Sequence, residues 1–248
     1  MVVHLYGVTT ADAPQPPLKG RQDGEVRFVS DGELAVIVSD VDADAPAGRK
    51  DLLAHAHVLE ALSEQATVVP MQFGIALPDD DVVRGQMLER DRESMESLLA
   101  FFEGLVQVTV QAFHNEEPAL REVLRRHPEL VEAREQLRTF PEGVSQAQQV
   151  ELGQAVAAAL EELQEEDRMT ILDRLAPLAR AVAENEPGGA HEVAHAAFLV
   201  ERDAREAFDE AVGEIRAQNE DRMRIRYVGP QPPYSFLEAA QTGELVWD

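Results

Sequence analysis

The chain has 248 residues, 44% of them hydrophobic, which is enough for two modest domains or one large one with a filled core. Forty-seven Asp and Glu against 22 Lys and Arg give a formal net charge of -25, which argues against nucleic acid or an anionic membrane as a partner. Cysteine is absent, which removes disulfides, thiolate metal sites and a cysteine nucleophile.

No apolar run reaches the ~20 residues that span a bilayer. Met1-Val2-Val3-His4 opens without the basic and apolar regions of a signal peptide, so a cytosolic protein is expected. The first predicted element is a short strand, Val2 to Val8, followed by a Pro- and Gly-punctuated loop from Thr9 to Gly24. Val26, Phe28 and Val29, then Leu34 to Val38, flank Asp31-Gly32, a dipeptide that tolerates the positive φ of a type I′ hairpin turn. Arg49 to Ala66 spaces Leu52, His55, Leu59, Leu62 and Ala66 three and four apart, the pattern of an amphipathic helix. His55 lies on that apolar stripe and is expected to be a satisfied or partly buried histidine. His57 points nearly opposite, so the two do not chelate together.

A brief apolar segment, Thr67 to Met71, is closed by Phe73-Gly74. Pro78 with Asp79, Asp80 and Asp81 then starts a helix running to about Phe102; the carboxylates suit the positive end of the helix dipole and lack the glycine and spaced oxygens of a calcium loop. Leu105 to Phe113 alternates Val106, Val108, Val110 and Ala112 with Gln107, Thr109 and Gln111, predicting a strand with one buried and one polar face. These elements compose an α+β sandwich, with helices over one face of a mainly antiparallel sheet and a domain boundary near His114 that divides 1–114 from 115–248.

Glu116 to Glu186 is helical in character, broken at Pro128, Pro141 and Pro177 and ended by Pro187-Gly188-Gly189. Leu152, Val156, Leu160 and Leu163 form one stripe, and Ile171, Leu175, Leu178 and Val182 another, separated by the charged Glu165-Glu166-Asp167-Arg168. Long antiparallel or coiled-coil-like helices projecting from the α/β parts are expected. Val193 to Val200, a helix from about Asp203 to Gln218 and a strand from Met223 to Val228 follow as a βαβ-like remnant. Arg222, Arg224 and Arg226 alternate with Met223, Ile225 and Tyr227, placing three guanidinium groups on one strand face, either for the chain's own acidic helices or for a carboxylate-bearing partner. Pro230, Pro232 and Pro233 then require the chain to leave the sheet as a stiff extended segment. Its Tyr234 and Phe236 dock as anchors, in a strap over their own domain or against a partner.

His191-Glu192-Val193-Ala194-His195 matches the H-E-x-x-H pattern of zinc metallopeptidases, where two histidines one helical turn apart bind the metal and the glutamate is general base. That chemistry needs a helix. Read with period two, the segment is instead a buried strand on which the histidines stand ~13 Å apart, too far to share a zinc. No phosphate cradle, nucleophile elbow or cofactor lysine is visible, so neither a cofactor nor a small-molecule substrate is expected.

Five segments occur in a telling order: His4-Leu5-Tyr6-Gly7-Val8; Arg49 through Glu60, with Asp51, Leu52, His55 and Leu59; Val69-Pro70-Met71-Gln72-Phe73-Gly74; Ala196-Ala197-Phe198-Leu199-Val200; and the close from Gly229 to Phe236. Together they resemble the GvpL/GvpF family of gas vesicle proteins over nearly the whole chain. Gln231, Gln72 and Gln107 stand where that family usually has Trp, Arg and Glu. The resemblance implies two α/β domains, at least one ferredoxin-like, with long helices between or projecting from them, and a strand at Val193 to Val200. It also implies a non-enzymatic accessory or minor structural protein of gas vesicle assembly, in the cytoplasm and at the vesicle. Such a protein binds the small hydrophobic shell protein GvpA and other accessory proteins, limits aggregation and supports nucleation. Arg222, Arg224, Arg226, Tyr234 and Phe236 are the residues expected to meet a partner; a zinc hydrolase built on His191, Glu192 and His195 is the alternative.

Overall fold

The computed structural model describes residues 1–138, 146–186, 188–189 and 191–245; the breaks expected at Pro141 and Pro187 lie outside the described residues. The first sheet is built from β1 (Val2–Thr10), β2 (Arg27–Asp31), β3 (Leu34–Val41) and β4 (Val69–Pro70) in the order β2-β3-β1-β4. A short β5 (Ala76–Leu77) also pairs with β1. The expected hairpin forms, with Asp31 opposite Leu34. Its two loop residues are Gly32 and Glu33, of which only Gly32 has positive φ, 61°. The turn is therefore of the II′ kind, which wants glycine first, rather than the I′ expected from Asp31-Gly32.

Helix α1 (Arg49–Ser63) crosses from β3 to β4 and buries His55, Val58, Leu59 and Leu62 against Tyr6 and Ile37. Leu52, expected on the same stripe, is 49% exposed, and its neighbour Leu53 is 59% exposed, so the buried face begins at His55. The other face of this sheet is covered by a helical run from α2 (Asp80–Val83) through a π-helical turn (Arg84–Arg90) into α3 (Arg92–Phe101). The run starts where Pro78 and the three aspartates predict it, and Asp79 caps it, its Oδ1 accepting from Val82 N at 2.9 Å.

The second sheet contains β6 (Leu105–His114), β7 (Ala181–Glu184), β8 (Glu192–Glu201) and β9 (Met223–Gln231) in the order β7-β8-β6-β9, all antiparallel. Strand β6 pairs along its length with β8 and β9, so the chain changes sheets before this strand rather than at His114. Alternation marks a strand but says nothing of its neighbours. The polar face expected for β6 is also not open to solvent: Gln107 is buried and Thr109 and Gln111 are half-buried. Ala197 and Leu199 of β8 share a core with Leu5, Val36 and Phe102, while Ala196, Phe198 and Val200 pack with Phe208, Val212 and Ile215 of α7 (Arg205–Gln218).

Between β6 and β7 run α4 (Glu116–Arg126), α5 (Pro128–Leu137) and α6 (Gln146–Leu175). Pro128 opens α5 and Pro177 sits in the 3-10 turn that follows α6, where breaks were expected. Both halves of the predicted striping from Leu152 to Leu175 lie on the one helix α6. Leu152, Val156, Leu160 and Leu163 pack with Ala119, Val123 and Leu130 of α4 and α5, whereas Ile171 and Leu175 pack on the second sheet. Val182 departs from the expected stripe. It belongs to the edge strand β7, opposite Phe198, because four residues are too few for a strand pattern to stand out against a helical one. The charged interval does not interrupt α6 either: Asp167 is buried, accepting from His114 Nε2 at 2.8 Å and from Arg222 Nη2 at 2.7 Å. Among the described residues no helix is long and apolar enough to cross a membrane.

Replacing Asp167 with Ala leaves His114 and Arg222 facing an uncompensated pocket and is expected to lower the unfolding free energy by about 3 kcal/mol in urea titrations. Removing the exposed carboxylate of Glu165, which pairs with Arg168, is expected to cost less than about 1 kcal/mol in the same assay.

Candidate functional site

Strand β9 does not end at Gly229. It continues through the cis Gly229–Pro230 peptide to Gln231, which pairs with Gln107 across an irregularity that follows the Thr109–Val228 pair. The expected exit is corrected because β9 is an edge strand, where a proline at a bulge interrupts no inner ladder. Glycine is required at 229: φ is 150°, and a Cβ there would lie 2.8 Å from Val108 Cγ1. Pro232 and Pro233 then end the strand, and the chain turns through Tyr234–Phe236 into α8 (Leu237–Thr242). Three polar side chains latch the turn to β6. Gln107 Oε1 accepts from Ser235 N at 2.9 Å, Gln107 Nε2 donates to Thr109 Oγ1 at 3.3 Å, and Thr109 Oγ1 donates to Gln231 Oε1 at 3.1 Å. Phe236, 2% exposed, is consumed by the chain's own core between the sheets, while Tyr234 is 40% exposed.

The arginine stripe does not stay in one row. Arg222 turns to Asp167 and Asn219, Arg224 is exposed with its guanidinium 5.1 Å from the centre of the Phe113 ring, and Arg226 is exposed. The H-E-x-x-H match lies on strand, not helix: β8 begins at Glu192 and runs through His195, so the one-turn spacing that the zinc chemistry needs is not formed. Glu192 is a local brace, accepting from Gln111 Nε2 at 3.3 Å and from Gly188 N. Among the described residues no group of three or more His, Asp or Glu is placed to hold a metal ion.

The sequence marked His55 but not its partner. His4 Nε2 and His55 Nδ1 are 3.1 Å apart, and His55 Nε2 is 3.2 Å from Met71 O. Since a carbonyl only accepts, His55 carries its proton on Nε2, and His4 Nε2–H donates to the bare Nδ1. Tyr6 stacks on His55 with ring centres 5.1 Å apart, Phe73 lies edge-on to both imidazoles, and the Tyr6 hydroxyl accepts from Arg21 N at 2.7 Å and bonds Ser39 Oγ at 2.8 Å. Arg21 Nε is 3.6 Å from Asp51 at the start of α1. His4 points inward on a strand, where alternation predicts burial but not a second imidazole.

The model of the family described as "Gas vesicle synthesis protein GvpL/GvpF" matches residues 2–238. The chain belongs to the GvpL/GvpF family. Gas vesicle protein F of Streptomyces sp. (strain CB03234) is 35% identical over 242 residues, covering 96% of this chain and all of that one. Gas vesicle protein F1 of Halobacterium salinarum is 26% identical, covering 95% and 92% of the two chains. The crystal structure of the gas vesicle protein GvpF from Anabaena sp. PCC7120 superposes with a TM-score of 0.78 at 25% identity, over 95% of this chain and 98% of that one. In this GvpL/GvpF chain three of the five segments that carried the resemblance converge: the buried His4 and Tyr6 of the opening strand and His55 of the first helix meet the half-buried Phe73 of the segment after β4.

Burial, then the neighbouring His55 and Arg21, push His4 down to about 4, and burial lowers His55 as well. Both imidazoles are thus neutral in the folded chain, and their contribution to stability is complete above the unfolded value near 6.5. For His4 it is lost as pH falls from there toward 4, by up to about 1.4 kcal/mol per pH unit, because the unfolded chain takes up protons first, and His55 acts in the same direction. The stability difference between the parent chain and His4→Gln, read from thermal unfolding, is therefore expected to shrink as pH falls from neutrality to 5. A difference that stays constant would exclude a neutral buried His4.

Proposed function

We propose that this chain is a non-enzymatic assembly factor of gas vesicles that binds the hydrophobic shell protein GvpA, limits its aggregation and supports nucleation, in the cytoplasm and at the growing vesicle. The observation that carries this reading is the family match along residues 2–238. The strand placement of Glu192 to His195 supports it from the other side, by depriving the hydrolase reading of its ligand geometry. Of the five residues expected to meet a partner, we assign the contact to Arg224, Arg226 and Tyr234, since Arg222 and Phe236 are engaged internally. The exposed Leu52 and Leu53 on α1 offer apolar surface to a hydrophobic client, and the charge of -25 keeps the complex from self-association.

Co-expression of the shell protein with this chain is expected to keep the shell protein in the supernatant and to bring both down together on affinity capture. Leu52→Ser/Leu53→Ser is expected to reduce that capture severalfold with no loss of thermal stability, because neither side chain is in a core. A shell protein that sediments equally with and without the chain would refute the reading.

A further inference from the structure

One face of the second sheet is covered unevenly. Ala197 and Leu199 lie in the core shared with the first sheet, but toward the other end of the same strands Gln111, Phe113 and His195 are half-buried, and Arg224 and Arg226 are exposed. Register sets Arg224 beside Phe113 and Arg226 beside Gln111, with His195 beyond them on β8. In a chain with 47 acidic and 22 basic residues most arginines are expected to find a carboxylate. Arg27, Arg92, Arg126, Arg168, Arg174 and Arg222 each bind at least one Asp or Glu. Arg224 and Arg226, like Arg49, Arg121, Arg202 and Arg216, form no ion pair among the described residues, and the Arg224 guanidinium lies 5.1 Å from the centre of the Phe113 ring instead. Strand addition at the β9 edge is blocked at Ile225, whose carbonyl accepts from Arg216 Nη2 at 3.4 Å.

We propose that this face binds an extended acidic segment of a partner protein, with carboxylates at alternate positions seated on Arg224 and Arg226. The inference rests on the reading of these arginines as a partner contact and adds the chemistry of what they take. Residues two apart on a strand stand about 7 Å from one another on the same side, so an extended partner repeats the spacing of the two guanidinium groups. Each guanidinium offers a two-pronged fork to one carboxylate, and Phe113 supplies a flat apolar surface beside them. Elsewhere the acidic surface repels such a segment, which confines it to this face.

The test uses the full chain and a dye-labelled peptide alternating Glu and Val, followed by fluorescence anisotropy. Arg224→Gln/Arg226→Gln is expected to weaken binding about tenfold or more, with unchanged thermal stability, and added salt is expected to weaken the parent chain's binding likewise. The same peptide with Lys for Glu is drawn to the acidic surface at large, and its binding is expected to be no weaker in the double variant than in the parent chain. The proposal is overturned if the double variant binds the acidic peptide as the parent does, or if inorganic phosphate displaces the peptide fully, which would mark a small-anion site. It is equally overturned if the double variant abolishes a self-association seen by sedimentation, which would make the occupant a second copy. Shell-protein capture is measured alongside: a chain that binds the peptide but fails to hold the shell protein sinks the assembly reading and leaves this one standing.

Discussion

Leu5 and Val36 from the first sheet, Phe102 after α3, and Ala197 and Leu199 from the second sheet belong to one core that also takes in Phe236, and this shared core governs the rest of the molecule. Because it uses one face of β8 while α7 takes the other, β8 has no free face over that stretch and reads as a nearly continuous hydrophobic run. Polar groups trapped there must find partners within the chain. Gln107 does so through Ser235 and Thr109. The junction is tied again at its rim by Arg202, just after β8, whose two terminal nitrogens donate to Ser63 O at 2.5 Å and Ala66 O at 3.1 Å, carbonyls at and just beyond the end of α1. A cation there also complements the negative end of the α1 dipole.

Both sheets, numbered within themselves, have the strand order second, third, first, fourth, and in both a helix carries the chain from third to fourth: α1 in one, α7 in the other. They differ in the link from first strand to second. In the first sheet this is a loop with one 3-10 turn at Arg21–Asp23; in the second it is α4, α5 and α6. The same plan thus leaves room for a small buried cluster in one case and a helical arm in the other. Arg21, from the loop, reaches the Tyr6 hydroxyl and Asp51, whereas α6 is anchored to its sheet by Asp167 and packs α4 and α5 with its outer half.

Much of this was legible in the residues, because elements with a strong period declare themselves. The hairpin, α1, β6 and α7 each carry enough alternating or three-and-four spacing to fix their type, whereas the run that becomes β8 fits a helix or a strand until the family resemblance decides it. What escaped was decided by contacts distant in sequence. Nothing in Leu105–His114 says that its neighbours are β8 and β9, and nothing in Glu165-Glu166-Asp167-Arg168 says that the third of these charges is the buried one. Pro230 misled for a related reason: a proline excludes an inner strand but not an edge, and edge position is a tertiary fact. Among the candidate site residues, the stripe Arg222, Arg224 and Arg226 was right as a strand pattern and wrong as a unit, since the first of them sits in the turn before β9 and answers to α6.

Phe236 follows in sequence every other fully buried residue of the core it completes. During synthesis the apolar faces of both sheets therefore exist before the side chain that fills the space between them, and the latch on Gln107 waits for the same stretch of chain. A chain lacking this residue leaves the seam between the sheets unfilled, the kind of apolar surface that invites aggregation or a chaperone. The closing segment is in that sense a timing element: the interior between the two sheets is hidden only after Phe236 has joined it.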